Sequence, residues 1–232
     1  MEQFLYLFLL LVSISYPLLK SWDKRLNYSK NWKALFPSIG IMMLVMVSWD
    51  VLFTKWGVWG FNPAYNLGVN IFGLPIEEWL FFICIPFSCM FIYEVVAFFD
   101  KKNRFDSSAK WISLSLFVVV LLLFFLSFGQ VYTQWTMTAI GFLLIYQLLN
   151  HKKTASYLGR FYFSYLFVLV PFILINGVLT GSFIEDQVVW YNMEETFGIR
   201  IGTVPFEDFF YCLFMLLMTV TSYELIQKKL RN

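Results

Sequence analysis

Seven apolar stretches divide the chain: 2–19, 34–54, 75–99, 111–130, 132–150, 161–181 and 205–226. An α-helix needs about 20 mostly apolar residues to cross the hydrocarbon of a bilayer, so the pattern predicts an all-α membrane protein with seven transmembrane helices. The polar residues between them alternate in sign. Lys20, Lys24, Arg25, Lys30 and Lys33 follow the first stretch, Lys101, Lys102, Arg104 and Lys110 the third, and Lys152, Lys153 and Arg160 the fifth, while Lys228, Lys229 and Arg231 close the tail. The intervening loops hold only Lys55 and an Arg200 surrounded by Glu185, Asp186, Glu194 and Glu195. By the positive-inside rule the N-terminus is outside and the C-terminus cytoplasmic. The first stretch lacks a basic leader and a small-residue cleavage site, and is expected to be retained as a span.

The apolar pattern is interrupted twice by the same motif. Leu74-Pro75-Ile76-Glu77-Glu78-Trp79 is repeated 130 residues later as Val204-Pro205-Phe206-Glu207-Asp208-Phe209. At that offset Asn62 also meets Asn192, Gly68 meets Gly198, Ile71 meets Ile201, Tyr93 meets Tyr223 and Glu94 meets Glu224. Such self-similarity marks an internal repeat. It predicts two three-helix halves, 1–99 and 131–232, joined by a connector at 100–130 in a 3+1+3 plan. An odd connector leaves the halves parallel, related by a pseudo-twofold axis along the membrane normal, with both motifs at one face.

Carboxylates entering a membrane span are costly, and a cost incurred at two matching positions points to function. Pro75 and Pro205 fit a helix start, where the missing N–H costs nothing and the dipole favours acids, so an ordinary acidic first turn is the competing reading. Neighbouring helix positions face different ways, so pairing is expected across the repeats: Glu77 with Glu207, or Glu78 with Asp208. Two carboxyl groups sharing a poorly hydrated site keep a proton between them and offer an acid and a base together. Asp50 aligns, with a small gap, with Asn176, and is a functional candidate unless headgroups solvate it. Glu94 and Glu224 lie near the other membrane face, where Tyr93 and Tyr223 suit an anchoring role. The loops before the motifs are the longest, and their Asn62, Asn66, Asn70, Tyr191 and Asn192 suit a polar cap.

Composition narrows the partners. The chain is 59% hydrophobic and 14% charged, with a net charge of +2 spread over short loops, which excludes a nucleic-acid surface. Cys84, Cys89 and Cys212 lie in apolar runs far from the single His151, so neither a metal site nor a disulfide framework is predicted. No glycine-rich dinucleotide fingerprint is present, and no cofactor is expected. Aromatics are 22% of the chain; Trp49, Trp56, Trp59, Trp79, Phe81, Phe82, Trp190, Tyr191, Phe209, Phe210 and Tyr211 cluster around the motifs. They fit an interfacial belt, or the walls of a cleft that stabilises a cation.

The doubled Pro-x-Glu-(Glu/Asp), its repeat, the Asn-rich loops and the length resemble the small integral-membrane lycopene cyclases, in the fused form of the heterodimeric bacterial type related to the cyclase half of fungal bifunctional enzymes. The resemblance spans the chain and is strongest at 62–94 and 192–224. It implies redox-neutral cyclisation of lycopene ψ ends to β rings, an isomerase reaction, with Glu77, Glu78, Glu207 and Asp208 as the catalytic carboxylates. Asp50, Asn62, Asn192, Trp79, Phe209 and Tyr191 are the expected supporting residues. The implied surroundings are membrane lipid, a carotenoid substrate and other carotenoid-pathway enzymes, and the implied place is an integral position in a bacterial inner membrane. Part of that family makes ε rings or adds an isoprenoid unit first. A proton-coupled transporter of 3+1+3 architecture is the alternative, with its carboxylates in repeat-related spans. A retinal photoreceptor would need a Lys in the last span, and 205–226 contains none.

Overall fold

A computed structural model describes residues 2–231. A 3-10 turn at Glu2–Phe4 leads into α1 (Leu5–Lys20), followed by α2 (Trp32–Trp56), α3 (Ile76–Phe99), α4 (Ala109–Leu126), α5 (Val131–Leu149), α6 (His151–Leu179) and α7 (Phe206–Arg231). All seven expected helices are present. Six of them are long and apolar enough to cross a membrane, and α5 is the exception. Its Tyr132, Thr133, Gln134, Thr136, Thr138 and Gln147 lower its hydropathy, and four of these, Tyr132, Thr133, Thr136 and Gln147, are buried against other helices. The helix α6 starts at His151 and not near 161. Lys, Arg and Ala are good helix formers, so the basic segment continues the helix beyond its apolar part, with only Asn150 separating it from α5.

Within the repeat α1 packs along α3 as α5 packs along α7, and α2 lies against α7 as α6 lies against α3. The helix α4 packs on α5 and α6, outside this arrangement. The main core lies largely between α2, α3, α5, α6 and α7, with Met42, Met46, Phe82, Phe87, Leu144, Phe161 and Leu217 nearly inaccessible.

The two long loops contain six short strands that helical periodicity could not reveal. The first carries β1 (Trp59–Phe61), β2 (Asn70–Ile71) and β3 (Leu74–Pro75); the second repeats them as β4 (Val189–Tyr191), β5 (Arg200–Ile201) and β6 (Val204–Pro205). Each motif proline therefore ends a tight hairpin immediately before its helix, so Pro75 stands at the cap and not in the first turn. The hairpin turns need positive φ, adopted by Phe72 and Gly73 in the first and by Gly202 in the second.

Strands β1 and β4 pair antiparallel across the halves, with Gly60 opposite Trp190, its own equivalent in the repeat. The glycine makes room for the Trp190 ring, since a Cβ on Gly60 would meet it at 2.4 Å and force it to shift. At the far end of the bundle Tyr93 donates to Glu224 and Tyr223 donates to Glu94, each at 2.5 Å, and Arg160 adds a 3.8 Å ion pair to Glu224. These reciprocal pairs link each tyrosine to the glutamate that follows the other tyrosine in sequence. They clamp α3 to α7. Replacing Tyr93 and Tyr223 together by Phe is expected to cost about 2 kcal/mol, since each change removes one hydrogen bond to a glutamate side chain. Thermal unfolding in detergent measures this, and an unshifted transition would show that water replaces both bonds.

Candidate active site

Six helix ends meet beneath the paired loops, and each contributes one polar side chain. Tyr6 stands in the first turn of α1, Glu78 in that of α3, Tyr132 in that of α5 and Asp208 in that of α7, while Asp50 and Asn176 lie near the ends of α2 and α6. All but the half-buried Asn176 are buried. They line one cavity of ≈ 60 Å³ together with Trp59, Phe61, Phe81, Phe172, Tyr191 and Tyr211.

The cavity has two matching halves. In the first, the Tyr6 hydroxyl donates to Glu78 Oε2, and the Trp59 indole N–H donates to Asp50 Oδ1 at 2.5 Å. Asp50 and Glu78 line the cavity together, and Asp50 Oδ2 is buried with no hydrogen-bond partner. In the second half the Tyr132 hydroxyl donates to Asp208 Oδ1 at 2.6 Å. Asp208 Oδ2 accepts from Asn176 Nδ2 at 2.7 Å and from the Tyr191 hydroxyl at 3.0 Å. Burial, reinforced by the neighbouring Asp208 carboxylate, pushes the Tyr191 phenol well above its ordinary value, so it stays a donor.

Of the four motif carboxylates, the structure brings Glu78 and Asp208 into this cavity and turns Glu77 and Glu207 out of it. Successive helix positions are about 100° apart, so one member of each pair points at the cavity and the other at its own loop. Glu77 Oε1 accepts from the Leu67 backbone N–H at 2.7 Å, and Glu207 Oε1 accepts from the equivalent Phe197 N–H at 2.5 Å and from the Thr133 hydroxyl. These two acids tie the loops to the helix starts. Two of the four motif acids thus line this cavity, together with Asp50.

The supporting candidates separate in the same way. Asp50 and Tyr191 line the cavity. Asn62 and Asn192 instead cap the 3-10 turns that follow them, their side-chain oxygens accepting from Ala64 N–H at 3.0 Å and Glu194 N–H at 3.1 Å. The Trp79 indole donates to the Ile71 carbonyl at 3.2 Å and steadies the first hairpin. Phe209 packs edge-on against Phe172 with ring centres 5.1 Å apart, one layer away from the cavity. Sequence reasoning missed Tyr6 and Tyr132. Their signal was an offset of 126, the same as between Asp50 and Asn176, which the dominant offset of 130 obscured.

The walls are aromatic and mutually braced. Trp59 meets Tyr132 at 5.1 Å edge-on, Tyr132 stacks on Tyr191 at 5.7 Å, and Tyr211 contacts both Trp59 and Tyr132. Beyond Phe81, Ile85, Phe172, Asn176 and Cys212 the cavity meets a groove of ≈ 1120 Å³ bounded by α1, α3 and α6. Ser13, Tyr16, Phe91, Phe167 and Pro171 line it, and it ends near Lys20, Arg25 and Arg104 at the far end of the bundle. Along α3 it runs from Phe81 to Asp100, about 28 Å at 1.5 Å per residue.

A family model described as lycopene cyclase matches residues 3–96 and 129–226. The chain belongs to the lycopene cyclase family. The matched segments contain all six polar residues of the cavity, and the helix left unmatched is α4, which contributes nothing to it. Comparison with curated proteins and with solved structures finds no match. As a lycopene cyclase the protein is an enzyme of carotenoid cyclisation, and its apolar helices make it a membrane protein.

Proposed function

We propose that the protein cyclises the ψ ends of lycopene to β rings by acid–base catalysis within the membrane, an intramolecular and redox-neutral isomerase reaction. One observation carries this reading: Glu78, Asp50 and Asp208 converge on an aromatic cavity that opens into an apolar groove as long as a bilayer is thick. An extended carotenoid fits such a groove and would present one end at a time. A carboxylic acid protonates the terminal double bond, and a nearby double bond captures the tertiary cation, closing the ring. A carboxylate then removes a ring proton. Protonating an alkene requires a desolvated acid, and the cation must be kept from water; burial beneath the β1–β4 pair serves both needs. The faces of Trp59, Tyr132, Tyr191 and Tyr211 stabilise the positive charge.

The architecture we infer is 3+1+3, with α1–α3 and α5–α7 as parallel halves about an axis through the Gly60–Trp190 pair, and with α4 as connector. The reciprocal Tyr93–Glu224 and Tyr223–Glu94 bonds support it. So does the placement of α5, four of whose polar side chains face protein where a lipid-facing helix would be apolar. We infer further an outer-face site and a cytoplasmic C-terminus, which the positive-inside rule supports, and a bacterial inner membrane as the location.

Expression in a lycopene-producing host tests the reading. The expected result is loss of red lycopene and appearance of a cyclic product of unchanged mass. Lycopene persisting with the protein present in the membrane sinks the cyclase proposal, and proton-driven uptake of a small solute into vesicles would favour the transporter instead.

A further inference from the structure

The two halves of the cavity are built alike but differ at one decisive position. Where the first half has Asp50, the second has Asn176. We propose that this difference divides the chemistry: the Asp50–Glu78 pair donates the proton, and Asp208 removes the ring proton. This rests on the cyclase reading given above and assigns its two roles.

Asp208 receives three donors, from Tyr132, Asn176 and Tyr191, at 2.6, 2.7 and 3.0 Å. A carboxylate accepts at every lone pair, whereas a carboxylic acid wastes one oxygen as a donor, so this ring of donors fits the ionised form. The amide of Asn176 donates where a second carboxyl would compete. A buried, ionised carboxylate against an apolar groove is a base.

The other half is arranged in the opposite sense. Asp50 has one oxygen on the Trp59 indole, and its second oxygen is buried without a hydrogen-bond partner in a cavity shared with Glu78. Two carboxyl groups so placed can bond only through a proton that one of them carries. The pair therefore holds one proton at the mouth of the cavity. When the terminal alkene takes it, the pair gains one negative charge opposite the new carbocation. Ring closure moves the positive charge to a second tertiary carbon, and Asp208 takes an adjacent ring proton as the new double bond forms. Charge and atoms balance: one proton has left Asp50–Glu78 and one has arrived on Asp208. It returns to the pair before the next turnover within the one cavity that all three acids and Tyr211 line.

Such a division predicts unlike failures. Losing the acid stops the reaction before any bond forms; losing the base leaves a cation that still forms but resolves wrongly. Membranes bearing each variant, supplied with lycopene and analysed by chromatography and mass, read the difference. Asp50→Asn and Glu78→Gln are expected to leave lycopene unchanged, at least 100-fold slower than wild type, and Asp50→Glu, which keeps a second carboxyl, is expected to restore most of the rate. Asp208→Asn is expected to consume lycopene about 10-fold more slowly and to spread the products over ring isomers and water adducts. Should Asp208→Asn not accumulate in the membrane, Tyr191→Phe, which removes one donor from Asp208, is expected to shift the isomer ratio without stopping consumption. Unchanged lycopene with Asp208→Asn present at wild-type level, or altered products from Asp50→Asn, or wild-type rates in Asp50→Asn, overturns the assignment. A wild-type protein that never consumes lycopene overturns the cyclase reading itself, a result no variant pattern can imitate.

Discussion

Glu78→Gln is expected to leave lycopene uncyclised, while Glu77→Gln, one residue away, retains most of the activity. The amide at 78 preserves shape and can still accept from the Tyr6 hydroxyl, but it cannot release a proton to an alkene. A loss of 100-fold or more, about 3 kcal/mol of barrier, is the expected scale for removing a general acid. At 77 the acid serves the backbone, and an amide oxygen still accepts from the Leu67 N–H. Glu77→Ala differs, because it removes the acceptor of that N–H, a loss of about 1 kcal/mol, read as lower thermal stability and a displaced loop. Pigment yield per unit of membrane-bound protein measures both effects. An inactive Glu77→Gln beside an active Glu78→Gln would reverse the two assignments.

Ile85→Trp is expected to have a comparably large effect through a different cause. Ile85 lies on α3 where cavity and groove meet, beside Phe81 and across from Phe172. An indole there fills the throat through which a carotenoid end must pass, while leaving Asp50, Glu78 and Asp208 as they are. Cyclisation should fall by about 100-fold with protein level maintained, and Ile85→Val should stay close to wild type, since it removes only a methyl group. Unaffected turnover in Ile85→Trp would mean that the substrate enters by another route.

Much of this was legible along the chain, and the reason is the membrane. Apolar length alone marked the helices, because a span must satisfy its backbone internally and hide few charges. The repeated Pro-x-Glu-(Glu/Asp) marked where function lies, because buried acids are expensive enough to stand out. Legibility failed where the signal was short or shared. The two-residue and three-residue strands of the loops show no periodicity, and Asn62 and Asn192, which match across the repeat, each cap the same turn. Repetition marks shared structure as readily as shared chemistry.

What the sequence by itself determined is the membrane class, the helix count, the doubling and the family, all carried by composition, spacing and motif, which are local properties of the chain. What only the tertiary structure decided is which acids share a cavity. Glu77 and Glu78 are indistinguishable neighbours in the motif, and they part because a helix turns about 100° per residue, sending one to its loop and the other to the cavity. Tyr6, Asp50, Tyr132 and Asn176 come from four other helices and carry no motif. They become a site only when six helix ends are packed under one loop pair, since the distances that make an acid and a base exist between elements and not along them.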